Sequence, residues 1–223
     1  PIHVQLFDAL GFDRPVYCHT AVLMKMDGDT KRKLSKRKDP ELGLEYDRSE
    51  GYAPRAVWEY LMTVLNSDFE EWRLENPDAP IDDFKFSLDK MSNSGALFDI
   101  MKFEDVSREV LLRTPANKFY DEFFDWLKEY DPEFYKLFTR DKNYSEKIID
   151  VGRNGNRPRK DLTSWKQARD FFSFYFPETF KVEDEFPERV SKEDRYKILK
   201  QYLTSFNIKD DNSEWFQKIS DIT

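Results

Sequence analysis

Residues 33–37, which read Lys-Leu-Ser-Lys-Arg, have the types and spacing needed to bind a chain of phosphates. Two ammonium groups three residues apart supply point charges, and the serine hydroxyl adds a short hydrogen-bond donor. The surrounding run, residues 25–38, holds seven cationic and two anionic residues. Because like charges at this density repel one another, the sequence predicts an exposed loop, mobile when empty, that becomes ordered when a polyanion binds.

Basic runs also have simpler explanations, since most of them are solvated faces or loose nucleic-acid contacts. A second basic island, residues 153–169, is equally consistent with a solvated loop and with a contact to RNA phosphates. Its cations are Arg153, Arg157, Arg159, Lys160, Lys166 and Arg169. The net charge of −8 does not exclude a nucleic-acid partner, because binding depends on where the charge lies.

Other residues whose side chains could bind metal or take part in catalysis give weaker predictions of a site. The two histidines, His3 and His19, and the single cysteine, Cys18, offer no spacing for a metal site, so we expect no protein-bound metal. Cys18 and His19 are adjacent, and neighbours in a strand point to opposite faces, which argues against a nucleophile pair. Aromatic residues between 171 and 176 could stack on bases, but core packing of an amphipathic helix is the commoner role.

The composition limits the class of protein. The length of 223 residues suffices for one large or two small domains, and an aromatic fraction of 16% argues against disorder. One cysteine permits no internal disulfide, which predicts a reducing, cytoplasmic compartment. No Gly-rich phosphate loop, signal peptide or membrane-spanning apolar run is present. The chain begins with Pro1, and we expect it to be a piece of a longer protein.

The elements that would position the basic run come from hydrophobic periodicity. Residues 2–10 predict a helix that ends at Gly11, and residues 16–24 predict a buried strand entering a hairpin or loop at Gly28. A helix followed by a buried strand resembles the last unit of a parallel α/β sheet, in which ligands bind beyond the carboxyl ends of strands.

From Pro40 onward the pattern is helical, with starts indicated by prolines and by Ser, Thr and Asp caps. The predicted helices are 41–50, 55–66, 68–75, 84–93, 105–113, the segments after Thr114-Pro115 and Asp131-Pro132, 142–151, 164–176, 191–206 and 211–219.

Three ordered segments resemble class I aminoacyl-tRNA synthetases, specifically the glutamyl-tRNA synthetase family. Residues 15–37, a short apolar strand, a glycine turn and Lys-Leu-Ser-Lys-Arg, are similar to the second signature of the class. Residues 49–61 resemble the family segment that follows that loop. Residues 94–103 resemble its Phe-Asp-x-x-Lys-Leu element, with Phe103 in place of leucine.

The resemblance implies a mainly α chain: a short α/β remnant of a Rossmann domain followed by helical stem-contact and anticodon-binding domains. Expected segments are 1–40, which ends the catalytic domain, 41–142 for stem contact, and 143–223 for anticodon binding, which is truncated if the family's full helical region is longer. The family's first signature, His-x-Gly-His, is absent, so residues 1–223 alone should not catalyse aminoacylation.

The resemblance also assigns roles and partners. Lys33 and Lys36 would stabilise pyrophosphate, with Lys36 the closer partner. ATP would be bound by Lys33, Leu34, Ser35, Lys36 and Arg37. Contacts with tRNA are expected from Arg153, Arg157, Arg159 and Lys160. ATP is a substrate that carries Mg²⁺, glutamate and tRNA-Glu are the other substrates, tRNA-Gln is left open, and a monomer is expected.

Two alternatives remain at this point. A glutaminyl-tRNA synthetase would carry a β-barrel-like C-terminal part, against which the helical pattern of residues 105–220 argues. A non-enzymatic helical module that binds nucleic acid or protein would make the basic loop a coincidence.

Overall fold

The computed structural model describes residues 2–35, 37–39, 43–92, 94–153, 158–181, 190–207 and 209–221, without the side chain of Asn212. Within these ranges the chain forms eleven helices and one antiparallel strand pair, which confirms a mainly α fold. The strands are β1 (Met24–Asp27) and β2 (Thr30–Lys33). The helices are α1 (Ile2–Leu10), α2 (Leu44–Glu50), α3 (Pro54–Leu65), α4 (Phe69–Glu75), α5 (Ile100–Arg113), α6 (Ala116–Tyr130), α7 (Pro132–Phe138), α8 (Lys142–Asp150), α9 (Trp165–Ser173), α10 (Lys192–Ser205) and α11 (Asn212–Ser220).

Two of the expected side-chain caps are present. The Asp131 carboxylate accepts from the Phe134 amide at the start of α7, and the Ser191 hydroxyl accepts from the Asp194 amide at α10. Other starts differ from the prediction, and no side chain caps α6, because the Thr114 hydroxyl donates to the Val110 carbonyl instead. The cap of α9 is Ser164 and not Thr163, and α5 begins at Ile100, five residues early, because Asp99 caps it. No helix in the described ranges has the length and apolarity to cross a membrane.

Two predicted elements are wrong. Residues 16–23 form no strand and are mostly exposed, because among the described residues only Leu23 and Met24 find strand-like hydrogen-bond partners. The expected parallel strand is therefore absent over residues 16–23: β1 and β2 are antiparallel, and the parallel pairing is limited to an isolated bridge between Met24 and Leu97. The helix expected at 84–93 is replaced by extended chain and one short 3₁₀ turn, Leu88–Lys90, since the Asn66 amide donates to the Ser87 carbonyl (3.0 Å). This tertiary contact overrides local propensity.

An aromatic core joins α3 to α9. The amphipathic helix α6 contributes Phe119, Phe123 and Leu127, each fully buried, and α9 lays Phe172 against them. The Phe119 and Phe123 rings lie 6.0 and 5.8 Å from Phe172, distances at which edge-to-face pairs add to the free energy of burial. The whole cluster runs from Ala53 to Phe176.

Contacts divide the chain into two compact units, residues 1–179 and 180–223. The first contains both strands and the aromatic core. In the second, α10 and α11 are joined by a hydrogen bond from the Trp215 indole to the Tyr202 hydroxyl (3.1 Å). These units differ from the functional segments expected to meet at residues 40 and 142, which stay a prediction.

Candidate functional site

The basic run begins as a hairpin. Strands β1 and β2 pair in a register that sets Lys25 opposite Arg32 and Asp27 opposite Thr30. Gly28 lies in the connecting turn with a φ of +60°, a conformation that glycine adopts without steric cost. The hairpin expected at Gly28 is thereby confirmed, although it starts further along the chain than the predicted strand.

Beyond β2 the chain folds back on itself. The Leu34 amide donates to the Leu23 carbonyl (3.1 Å), and the Ser35 carbonyl accepts from the amides of Lys38 (2.9 Å) and Asp39 (2.8 Å). Leu34 and Ser35 are half-buried, whereas Lys33, Arg37 and Lys38 are exposed. Lys36, the other predicted pyrophosphate ligand, lies outside the described residues.

The turn is held by a buried carboxylate. Asp39 is only 2% exposed and accepts two hydrogen bonds from the Arg32 guanidinium (2.6 and 2.7 Å) and one from the Ser35 amide (3.0 Å). The Lys25 ammonium lies 3.3 Å from the same carboxylate. Hydrogen bonding to Arg32 lowers the pKa of Asp39 well below its ordinary value, and hydrogen bonds to Asp39 and Asp27 raise the pKa of Arg32.

The hairpin is joined to the segment 94–103. The Met24 amide donates to the Ala96 carbonyl (2.8 Å), and the Phe98 amide donates to the Met24 carbonyl (2.7 Å). Gly95 makes this approach possible, because a Cβ there would lie 2.5 Å from the Val22 carbonyl oxygen. A side chain at position 95 would therefore push the two segments apart.

Residues 94–103 are joined in turn to α3. The Phe98 and Phe103 rings lie 5.3 and 5.1 Å from Tyr60, whose hydroxyl accepts from the Asp99 amide (2.8 Å). The Tyr52 ring also packs against Phe103, with ring centres 4.6 Å apart. The three segments that carry the family resemblance are thus brought together, and the basic turn lies at their edge.

The second basic island, unlike the run at residues 25–38, uses every described cation in contacts within the protein. Its first cation, Arg153, faces inward. Its guanidinium donates to the carbonyls of Leu111 (2.8 Å), Leu112 (3.2 Å) and Thr114, and it lies 4.8 Å from the centre of the Phe119 ring. Burial lowers the pKa of Arg153. The side chain thereby satisfies carbonyls that the end of α5 leaves without helical partners.

The remaining described cations of the island pair with carboxylates. Arg159 bonds Asp161 twice (both 2.7 Å) and lies 3.5 Å from the Phe171 ring centre. The other pairs are Lys160 with Glu109 (2.7 Å), Lys166 with Glu50 (2.7 Å) and Arg169 with Asp131 (2.7 Å). Arg157 lies outside the described residues. The proposed roles of Arg153, Arg157, Arg159 and Lys160 toward tRNA stay predictions.

Other candidates of the sequence are brought to no shared site. Cys18 and His19 are exposed, and no group of three or more potential metal ligands occurs in the described part of the chain. Phe172 and Phe176 are buried in the aromatic core, as the core interpretation predicts, whereas Phe174 is exposed. A groove of about 530 Å³ beside α3 contains several arginines, but Arg73 and Arg113 are both paired with Glu59 (3.2 and 2.8 Å).

Sequence reasoning missed two residues of the loop region. Asp39 follows directly after the cationic run, and a single carboxylate at the end of such a run was a usable signal for an internal ion pair. Gly95 is one of only seven glycines and lies inside a segment of family resemblance, which indicated a close backbone approach.

No family model matches the chain. The glutamate–tRNA ligase of Acetivibrio thermocellus is 54% identical over 219 residues, which cover 98% of this chain and 40% of the relative. The glutamate–tRNA ligase of Clostridium perfringens strain 13 is 42% identical over 226 residues, covering 100% of this chain and 41% of the relative.

A crystal structure of the glutamate-tRNA synthetase from Elizabethkingia anophelis has the same fold, with a TM-score of 0.56. That alignment covers 99% of this chain and 44% of the other at 22% identity. The chain therefore spans about 40% of the length of the curated relatives it matches. With relatives of this identity along its whole length and a matching fold, the chain belongs to the glutamate–tRNA ligase family.

Proposed function

We propose that the protein carrying this chain attaches glutamate to tRNA-Glu in two ATP-dependent steps, through glutamyl-adenylate. The observation that carries the proposal is the exposure of Lys33, at the end of β2, and of Arg37 and Lys38, in the turn that follows, while Asp39 accepts from the Ser35 amide at the base of that turn. Family membership supports the same chemistry, since the relatives are named glutamate–tRNA ligases. Residues 33–39 alone would not perform it, so the activity belongs to the complete gene product.

The turn would act on the leaving group. Adenylate formation is an in-line attack of a carboxylate oxygen on the α-phosphorus of ATP, during which negative charge builds up on the departing pyrophosphate. Lys33 and Lys36 would neutralise that charge, while the Ser35 hydroxyl and nearby amides orient the phosphates. ATP enters as its Mg²⁺ complex. Contacts that are strongest near the transition state raise the rate and not only the affinity.

Pyrophosphate exchange in the complete gene product tests this proposal. We expect Lys36→Ala to slow exchange about 10²-fold or more, the scale of losing a charge-stabilising donor. Lys31→Ala is the matched control, because Lys31 is an exposed lysine of the same hairpin outside residues 33–37, and its exchange should stay within about twofold. An unchanged rate in Lys36→Ala would contradict the role of the loop.

The tRNA partner is tested separately. Lys160 is half exposed and its pair with Glu109 lies at the surface, so the ammonium can exchange that carboxylate for a phosphate at small cost. We expect Lys160→Ala to weaken tRNA-Glu binding and to reduce the dependence of log Kd on log salt by about one unit. Equal salt-sensitive binding to transcripts with altered anticodons would instead favour a non-enzymatic nucleic-acid module. Preference for tRNA-Gln would favour a glutaminyl enzyme.

A further inference from the structure

We infer that Asp39 is a positioning residue for the phosphate loop: its carboxylate joins Arg32 to the Ser35 amide and thereby sets the turn that follows Lys33 and exposes Arg37 and Lys38. The catalytic consequence of this inference rests on the proposed function. Its structural part, that the carboxylate holds the turn, stands on the contacts of the hairpin alone.

The geometry is specific to a carboxylate. Both Asp39 oxygens are used by Arg32 in a two-pronged pair, and the oxygen Oδ2 also accepts from the Ser35 amide. Arg32 is in turn fixed by Asp27 across the hairpin (2.7 Å). An arginine fork matched to a planar carboxylate restricts orientation as well as distance, so Ser35 is placed relative to β2 and not merely near it.

The ion pairs also divide the cations of the run into those paired at the base of the turn and those left exposed. Asp39 and Asp27 neutralise Arg32 and Asp39 lies beside Lys25, so these charges are directed into the base of the turn. Lys33, Arg37 and Lys38 have no carboxylate within ion-pair distance among the described residues. The positive field of the loop is therefore carried by the residues that face outward, and fewer cations repel one another where the chain folds back.

A loop held in this way needs less reorganisation when charge develops on a phosphate. Positioning groups contribute to rate by keeping donors in the geometry of the transition state, and small displacements are costly. A purely structural ion pair would affect stability alone. A positioning residue should lower kcat for adenylate formation while leaving the KM for glutamate unchanged.

Asp39→Asn in the complete gene product tests the catalytic part. The amide keeps the shape and one acceptor, so Ser35 can still be contacted, but the two-pronged pair with Arg32 is lost. We expect kcat for pyrophosphate exchange to fall about tenfold with the KM for glutamate within about twofold. The matched control is Asp29→Asn, an exposed carboxylate in the turn of the same hairpin, which should behave as wild type.

Limited trypsin cleavage after Arg37 tests the structural part without relying on activity. We expect Asp39→Asn to be cleaved there several-fold faster than wild type and than Asp29→Asn, because a turn freed from its anchor opens more often. Equal cleavage rates in all three proteins would overturn the inference even if kcat falls.

The outcomes separate the two proposals. Unchanged kcat in Asp39→Asn, with an active wild type, would overturn the catalytic role of Asp39 and leave the proposed function intact. An inactive wild type would overturn the proposed function and the catalytic role together. Cleavage after Arg37 would then still decide whether Asp39 holds the turn.

Discussion

The two basic regions, residues 25–39 (the basic run together with Asp39) and residues 153–169, are both rich in Lys and Arg but differ in how their cations are paired. In the first, one buried carboxylate and Asp27 pair with two cations and leave Lys33, Arg37 and Lys38 outward. In the second, every described cation named in the prediction has a protein partner, and Arg153 lies against the Phe119 ring. A count of cations along the chain therefore predicts where positive charge is concentrated, but not which cations are left unpaired by the protein and can bind a phosphate.

The two basic regions pair their cations differently because the carboxylate partners lie at different distances along the chain. Asp39 lies seven residues from Arg32, so the first region organises itself locally. The partners of Lys166, Lys160 and Arg169 lie 116, 51 and 38 residues away along the chain. Such pairs exist only after the helices have packed, and their sequence positions give no hint of them.

The largest expected effect is on stability and falls on the second region. Arg153→Ala removes a partly buried cation from the carbonyls at the end of α5, and we expect the free energy of unfolding to drop by about 2 kcal/mol. Urea denaturation followed by tryptophan fluorescence measures the change. Arg140→Ala, which removes an exposed ion pair with Glu178, is the control and should change it by less than about 0.5 kcal/mol.

If Arg153→Ala were as stable as the control and lost tRNA binding instead, the inward position of this side chain would not describe its role. The contrast between the two basic regions would then disappear.

A smaller effect is expected on rate and falls on the first region. We expect Lys33→Ala to slow pyrophosphate exchange about tenfold, less than the loss of Lys36, because the resemblance makes Lys36 the closer partner of the leaving group. Arg159→Ala should leave exchange within about twofold, since Arg159 is paired with Asp161. Equal losses in the two variants would contradict the division of roles.

The smallest effect concerns pH. Arg32 lowers the pKa of Asp39 below its ordinary value of 3.8, so the stabilisation of the turn is fully present above that value and is lost only as the pH falls through the lower pKa of the folded protein. We expect the amide shift of Ser35, followed with ¹⁵N-serine labelling, to stay constant between pH 7 and pH 4. A midpoint within that interval would show that Arg32 does not hold the carboxylate ionised.

The sequence predicted most helices, and caps explain why. A cap such as Asp131-Pro132 or Ser191 acts within one turn, so its partners are near in sequence and the pattern is readable. The strand at 16–24 and the helix at 84–93 were wrong because their outcome depends on distant partners. The first finds few hydrogen-bond partners, and the second is held extended by Asn66.

By itself the sequence determined the helical class and the resemblance to the family, and it predicted phosphate binding by residues 33–37, because all three depend on local order along the chain. Only the tertiary structure showed that Asp39 contacts Arg32 and the Ser35 amide, that Gly95 lets Met24 approach, and that Arg153 donates to carbonyls at the end of α5. Charge and close packing act through space and fall off over a few ångströms, so their partners are defined only when the fold brings them together.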